Sequence, residues 1–152
     1  MEKLRQAIKI ATSKVGFTEL TGNNDGQFVD ECLTVVGLDN ASHVKATGKG
    51  YAWCAAFVSW VYASAGVPAI KNAWAPAWFP ANKVLPKEHF RPRPMDVFGL
   101  NFNNVENGHV GFVFHWPDDG DTFLSLEGNW GNKVDINVRK KSEINAVARW
   151  IQ

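Results

Sequence analysis

The chain has 152 residues, of which 45% are apolar and 20% are charged. This length suits one domain whose core buries roughly two thirds of the surface that the unfolded chain exposes, and the composition excludes wholesale disorder. Sixteen basic and fifteen acidic residues leave a formal net charge of +1, and the RKK run at 139–141 is the one basic cluster. Because nucleic-acid binding needs a strong positive field, we expect no nucleic-acid partner.

The N-terminal stretch MEKLRQAIKIATSKVG is interrupted by Lys9 and Lys14, so it lacks the continuous apolar segment of a signal peptide. No later stretch approaches the roughly 20 apolar residues of a membrane-spanning helix. We therefore expect a protein made in the cytoplasm, without membrane insertion, that depends on another system if it works outside its cell. In that case Cys32 and Cys54 are both expected to be free thiols.

Three segments in the first half of the chain carry apolar residues at helical spacing, and each is followed by a glycine. The first pattern occupies positions 4, 7, 8, 11 and 15, the second positions 28, 29, 32, 33 and 36, and the third positions 57, 58, 61, 62 and 65. Asn24 or Asp25 is expected to cap the second helix. Cys32 belongs to the buried stripe of that helix.

The second half of the chain has short runs typical of β-strands. Segment 67–94 is rich in Pro, Trp and Ala and is expected to be an ordered loop. The five runs that follow are DVFGL, HVGFVFHW, TFLSL, KVDINV and AVARWI, with the turn signals ENG, PDDGD and GNWGN between them. Helices followed by a small antiparallel meander predict an α+β fold rather than alternating βαβ units.

The stretch GYAWCAAFVSWVYASAG, at 50–66, places Cys54 where an aromatic loop turns into an apolar helix. A thiol at a helix N-terminus faces unpaired N–H groups and the positive end of the helix dipole, and both favour the thiolate that a nucleophile needs. Cys54 is also in phase with the apolar positions 57, 58 and 61, which is the pattern of a cysteine that only fills the core. This stretch alone is compatible with both interpretations.

A candidate general base is His109 in NGHVGFVF. It follows an expected tight turn at Asn107 and Gly108 and begins an apolar strand, so its imidazole should emerge at the end of the sheet. Histidine titrates near neutrality and can take a thiol proton and later return it to a leaving amine. The alternative is a strand-end histidine that hydrogen-bonds locally, and His115 is the second candidate for the base.

The stretch LSLEGNWGN offers two groups that could orient the histidine. If the strand continues through Gly128, Glu127 and Asn129 lie on the same face. A nucleophilic triad needs such a third group to hold one imidazole nitrogen protonated. The alternative is a polar turn in which Glu127 is solvated.

Taken in order, these stretches resemble the CHAP family, the cysteine, histidine-dependent amidohydrolases/peptidases, which have a papain-like fold within the wider NlpC/P60-like group. The similarity covers about 22–138 and rests on NNDG, AWCAAFVSWVYASAG, MDVF, GHVGFVF and LEGNWGNKV. The chain departs from the family at Met95, where a glycine is usual. The resemblance implies one catalytic domain over 1–152, in which N-terminal helices pack on a small antiparallel sheet.

The resemblance also implies roles for the site residues. Cys54 would be the nucleophile, His109 the general base and then the acid, Glu127 the residue that holds the histidine, and Asn129 an accessory polar group. The backbone N–H of Cys54 is the first expected oxyanion donor, and Tyr51 and Asn24 are candidates for a second donor. Among the aromatic residues, those at 53 and 130 flank the predicted site, and we predict that Trp53 and Trp130 contact substrate.

The family cleaves amide bonds of peptidoglycan, either between the muramyl sugar and the stem peptide or within the peptide. The resemblance therefore implies peptidoglycan as the partner and no cofactor. Three settings fit such a protein: a phage lysin, a phage tail component, or a delivered antibacterial effector with an immunity protein. The alternative from another class is a catalytically silent binding or structural domain that keeps the fold.

Some members of the family carry a calcium loop of closely spaced acids before the nucleophile. Here the corresponding stretch, SHVKATGKGYAW, contains no carboxylate, so we predict no metal there. The acids of PDDGD, at 117–121, are better explained as part of a hairpin turn because a proline and a glycine accompany them.

Overall fold

The computed structural model describes residues 1–103 and 108–152. Within these residues, the helices come first along the chain and the strands follow. The α-helices are Glu2–Ser13 (α1), Gln27–Val35 (α2), Asn40–Thr47 (α3) and Cys54–Ser64 (α4), and the β-strands are Val97–Leu100 (β1), His109–His115 (β2), Thr122–Trp130 (β3), Lys133–Lys140 (β4) and Ile144–Ala148 (β5). The predicted α+β class, with N-terminal helices on a small antiparallel sheet, is confirmed. None of these helices is long and apolar enough to cross a membrane.

The five strands form one antiparallel sheet in the order β4-β3-β2-β1-β5. The predicted meander is correct for β1 to β4, but β5 returns to the far edge and pairs with β1. PDDGD lies in the connection between β2 and β3, as expected. The predicted turn GNWGN is only partly a turn, because β3 continues to Trp130. Most of the predicted ENG turn, including Asn107, lies outside the described residues.

Helix α3 was not predicted because its sequence, NASHVKAT, has no apolar stripe. Its ends explain why it forms. The carboxylate of Asp39 accepts a hydrogen bond from the backbone N–H of Ser42 at 3.1 Å, and Gly48 ends the helix with a φ of 82°. Caps of this kind stabilise a helix by about 1 kcal/mol without any need for apolar residues.

The predicted cap of α2 is wrong. The residue at the N-cap is Gly26, and no side chain caps this helix. The carboxylate of Asp25 is instead occupied by the preceding loop, where it accepts hydrogen bonds from the backbone N–H and the hydroxyl of Thr21. Asp25 therefore stabilises the loop rather than the helix.

Helix α4 packs directly on the sheet and brings its first turn against β3. Phe57 is fully buried and meets Phe112 of β2 edge to face, with 6.1 Å between ring centroids. Burying a side chain of this size contributes about 1.5–3 kcal/mol. A Cβ atom at Gly128 of β3 would lie 2.8 Å from Phe57 and from the ring of Trp53. The absence of a side chain at position 128 thus lets the start of α4 approach the sheet closely.

The face of the sheet that α4 does not contact carries a second apolar cluster. The loop formed by segment 67–94 covers this cluster. Leu85 and Phe90 of this loop pack on buried side chains from four strands, Phe98, Leu100, Val113, Phe123 and Val147. The loop is tied to β5 by a backbone hydrogen bond from Leu85 to Val147 at 2.8 Å. The prediction of an ordered loop is therefore confirmed.

Candidate active site

Cys54 is the first residue of α4, and its thiol is surrounded by hydrogen-bonding groups. The N-cap residue, Trp53, provides no side-chain cap for the first turn of the helix. The His109 side chain and the backbone N–H groups of Val110 and Ala55 lie beside the thiol. Only 6% of Cys54 is exposed. The sulfur therefore lies at the junction of a helix N-terminus and the start of β2.

A gap in the sheet makes the N–H of Val110 available. Strands β2 and β3 are paired as far as Phe112 and Leu126, and the pairs that would follow in this register, Gly111 with Glu127 and Val110 with Gly128, are not formed. The N–H of Val113 donates toward β1 at 2.8 Å, so alternation directs the N–H of Val110 to the β3 side. The thiol of Cys54 lies on this side of β2, near the N–H of Val110.

His109 joins the thiol to a carboxylate. Its Nε2 lies 2.6 Å from Oε1 of Glu127, which leaves Nδ1, the other ring nitrogen, for Cys54. Glu127 has no exposed surface, and His109 is almost fully buried. The alternative in which Glu127 is solvated in a turn is therefore wrong. The structure brings together the three residues of the predicted triad.

Among the residues that the structure describes, four side chains donate hydrogen bonds to Glu127. Besides His109, the donors are the hydroxyl of Ser125, the amide of Asn137 at 3.4 Å, and Arg139, whose Nε lies 2.9 Å from Oε2 and whose Nη2 lies 2.5 Å from Oε1. The sequence reasoning missed these partners. The available signal was the period of two along each strand, which places positions 125 and 127 on one face of β3 and positions 137 and 139 on one face of β4.

These contacts set the charges of the site. Burial raises the pKa of the Cys54 thiol, but the hydrogen bond and charge of His109 outweigh burial and bring this pKa below its ordinary value. Burial lowers the pKa of His109, yet its bonds to Cys54 and Glu127 raise it to about 9. Burial likewise raises the pKa of Glu127, and the bonds from His109 and Arg139 lower it to about 2. These shifts favour a thiolate, an imidazolium and a carboxylate over the neutral forms of the three groups.

Asn129 does not lie where the strand alternation places it. The pairing of β3 with β4 is irregular between Glu127 and Trp130, and Asn129 has a φ of 61°. This left-handed conformation interrupts the period of two, so the expectation that Asn129 shares the face of Glu127 is not met. Among the residues that the structure describes, none is hydrogen-bonded to the Asn129 side chain.

The two predicted substrate-binding tryptophans have different environments. Trp53 is fully buried, and its indole N–H donates to Oε1 of Glu19 at 2.8 Å. The prediction that Trp53 contacts substrate is therefore wrong, since this side chain has no exposed surface. Trp130 is 43% exposed, and its ring centroid lies 5.3 Å from that of His109. A contact between Trp130 and substrate stays a prediction.

The remaining candidates lie outside this cluster or are occupied. His115 is exposed at the opposite end of β2 from His109. The Asn24 amide donates to the carbonyl of Gly50 at 3.3 Å, and the Tyr51 ring stacks on His43. No group of three or more potential metal-binding side chains occurs within residues 1–103 and 108–152.

A family model described as the CHAP domain matches residues 46–129. The match covers more than half of the chain and includes Cys54, His109 and Glu127, while Arg139 lies beyond it. No curated protein and no solved structure matched the chain. The family suggests a peptidoglycan amidase or peptidase. On the strength of this match, the chain belongs to the CHAP domain family.

Proposed function

We propose that the protein is a peptidoglycan hydrolase that cleaves an amide bond by a thiol mechanism, as an N-acetylmuramoyl-L-alanine amidase or a peptide endopeptidase. One observation carries the proposal: the Cys54 thiol lies beside His109, whose Nε2 is 2.6 Å from the buried carboxylate of Glu127. A nucleophile is activated by this arrangement, in which a base lies next to the thiol and a carboxylate holds the base in place.

In the first half of the proposed reaction, the Cys54 thiolate attacks the carbonyl carbon of the amide, and the carbonyl electrons move to oxygen. The His109 imidazolium then gives its proton to the amide nitrogen as the carbon–nitrogen bond breaks. The products are a free amine and a thioester on Cys54. In the second half, neutral His109 takes a proton from water, the hydroxide attacks the thioester, and the carboxylic acid leaves with the thiolate restored.

The start of α4 suits the developing oxyanion. The N–H groups in the first turn of a helix have no partners within the helix, and no side chain caps α4. The N–H of Cys54 is thus the proposed first donor to the oxyanion. Glu127 would stabilise the imidazolium while the negative charge is on the sulfur or the oxyanion.

The setting that we propose is either a phage lysin or tail component, or an antibacterial effector that another system delivers. The two differ in one testable respect. An effector requires an immunity protein that blocks hydrolysis in the producing cell, whereas a lysin does not. Both settings use the same substrate and the same reaction.

The test is digestion of purified peptidoglycan, followed by mass analysis of the soluble fragments. New amino termini on L-alanine would identify an amidase, and new termini elsewhere in the peptide would identify an endopeptidase. Cys54→Ala should release nothing, while Cys32→Ala serves as the matched control that keeps the reactive thiol. A folded wild-type protein that releases no fragments from any wall type would overturn the proposal and favour the silent domain.

A further inference from the structure

Arg139 of β4 makes two contacts with the carboxylate of Glu127. Its Nη2 lies 2.5 Å from Oε1, the oxygen that also faces His109, and its Nε lies 2.9 Å from Oε2. Both partners are buried, with 8% of the Arg139 side chain exposed and none of that of Glu127. A planar guanidinium that bridges both oxygens fixes the plane of a carboxylate, which a single hydrogen bond does not.

Trp130 covers this pair on one side. The guanidinium carbon of Arg139 lies 4.0 Å from the centroid of the Trp130 ring, and the same ring lies 5.3 Å from that of His109. The β-bulge between Glu127 and Trp130 accompanies this placement. Stacking of arginine on an aromatic face is favourable and displaces water from the guanidinium.

We propose that Arg139 is a positioning residue, whose bidentate contact with Glu127 keeps Oε1 directed at Nε2 of His109. Trp130 shields this contact from water. The inference rests on the proposed function, because it assigns Arg139 to the reaction through His109. The last torsion of a glutamate side chain has only a broad preference. Ser125 and Asn137 bond Oε2 alone, whereas Arg139 bonds both oxygens and so restricts this torsion most. The family match ends before this residue.

A purely electrostatic role for Arg139 would shift the titration of His109 in the opposite direction. If the guanidinium only weakened the negative charge that Glu127 exerts on His109, its loss would strengthen that charge and move the titration of His109 to higher pH. If the guanidinium positions Glu127, its loss lets the carboxylate turn away and moves the titration to lower pH. The direction of the shift therefore separates the two roles.

The central variant is Arg139→Lys, which keeps the positive charge but removes the planar guanidinium that bonds both carboxylate oxygens. We expect the midpoint of the His109 titration, followed by NMR of the assigned ring signals, to fall by about one pH unit. On peptidoglycan fragments we expect kcat to fall about tenfold with little change in KM, since the side chain of Arg139 is buried. A second variant, Arg139→Ala, should regain part of its activity when millimolar guanidinium ion is added.

Arg149 supplies the matched control. It contacts Asp96 in the same two-pronged way, with Nε 3.0 Å from Oδ1 and Nη2 2.8 Å from Oδ2. It belongs to a different cluster from His109, so Arg149→Lys should leave the His109 titration and kcat unchanged. Thermal unfolding of both variants shows whether either loses structure.

An unchanged or raised His109 midpoint in folded Arg139→Lys, or equal effects of the two arginine variants, would overturn the inference. Absence of rescue by guanidinium in folded Arg139→Ala would also count against it. The titration needs no substrate. A wild-type protein that digests no peptidoglycan would thus contradict the proposed function, while a downward shift in Arg139→Lys would still support the positioning role.

Discussion

The two cysteines of this protein both lie in apolar helices, and their pKa values are shifted in opposite directions. Both are free and buried, Cys32 with no exposed surface and Cys54 with 6%. At Cys32, burial raises the pKa well above its ordinary value, and the charge of Glu31 adds to this effect. At Cys54, the partner His109 outweighs burial and lowers the pKa. Burial alone therefore does not determine whether a thiol is reactive.

The position in the helix explains this difference. Cys32 lies inside α2, where the surrounding N–H groups already bond to helix carbonyls. Cys54 begins α4, where the first N–H groups have no partners within the helix, and it faces the gap between β2 and β3 that exposes the N–H of Val110. The sheet thus supplies Cys54 with donors that no helix interior can supply.

Replacing the two thiols should give the largest contrast. Cys54→Ala is expected to abolish release of soluble peptidoglycan fragments, because no other group can form the thioester. Cys32→Ala should keep activity within about threefold and lower the free energy of unfolding by about 1 kcal/mol, as a small loss of buried volume does. Fragment release and urea unfolding measure the two effects. Full activity in Cys54→Ala would remove the basis of the comparison.

Removing the negative charge of Glu127 should make Cys54 less reactive and so more like Cys32. Glu127→Gln is expected to lower kcat by roughly two or more powers of ten, as loss of the charged member of a triad does. Cys54 and the Glu127 carboxylate together raise the pKa of His109 to about 9, so loss of the carboxylate should move the alkaline limb of the pH profile to lower pH.

Asn129→Ala is the comparison variant for Glu127→Gln. Its side chain has no described hydrogen-bond partner, so it should lose less than about tenfold in kcat and keep the alkaline limb in place. Measuring kcat against pH for both variants tests the assignment. A large loss in Asn129→Ala beside a nearly normal Glu127→Gln would mean that the asparagine orients the histidine.

Disturbing the start of α4 should affect one thiol and spare the other. Gly128→Ala adds a Cβ 2.8 Å from Phe57 and Trp53, so the helix start must move away from the sheet. We expect a loss of about 1–3 kcal/mol in stability and about a tenfold slower alkylation of Cys54, with Cys32 unchanged. Stopped-flow labelling of the folded variant measures the alkylation rate. An unaltered rate at Cys54 would show that its reactivity does not require the close approach of α4 to β3.

Chelation should have the smallest effect. The predicted chemistry uses a thiol and an imidazole, so EDTA is expected to leave wall hydrolysis unchanged while iodoacetamide abolishes it. Turbidity loss of a wall suspension is a sufficient measurement. Activity that falls in EDTA and returns with calcium would show that acids such as those of PDDGD bind a metal.

Much of the fold followed from local patterns, since the apolar stripes of α1, α2 and α4 and the alternation of the strands are visible in the sequence. Helix α3 was missed because its caps, rather than apolar residues, stabilise it. The position of β5 beside β1 depends on pairing between distant segments, which periodicity does not encode.

In the site as well, local motifs predicted some residues correctly, while contacts between distant segments were missed. The sequence supplied Cys54, His109 and Glu127, which the structure places in contact. It gave Trp53 the wrong role because proximity in sequence to Cys54 does not reveal that the indole points into the core. Arg139 was missed because its contact with Glu127 depends on the register of β3 with β4, and a bulge in that pairing also displaced Asn129.

The most direct test of the account is the alkylation rate of each thiol between about pH 5 and pH 9, measured by brief iodoacetamide labelling and peptide mapping. A thiolate paired with an imidazolium reacts below the ordinary thiol pKa of about 8.5. Cys54 should therefore be labelled quickly at pH 6 to 7, while Cys32 should stay unlabelled until the protein unfolds. Equal labelling of the two thiols, faster labelling of Cys32, or a Cys54 rate that rises only above pH 8.5 would contradict the account.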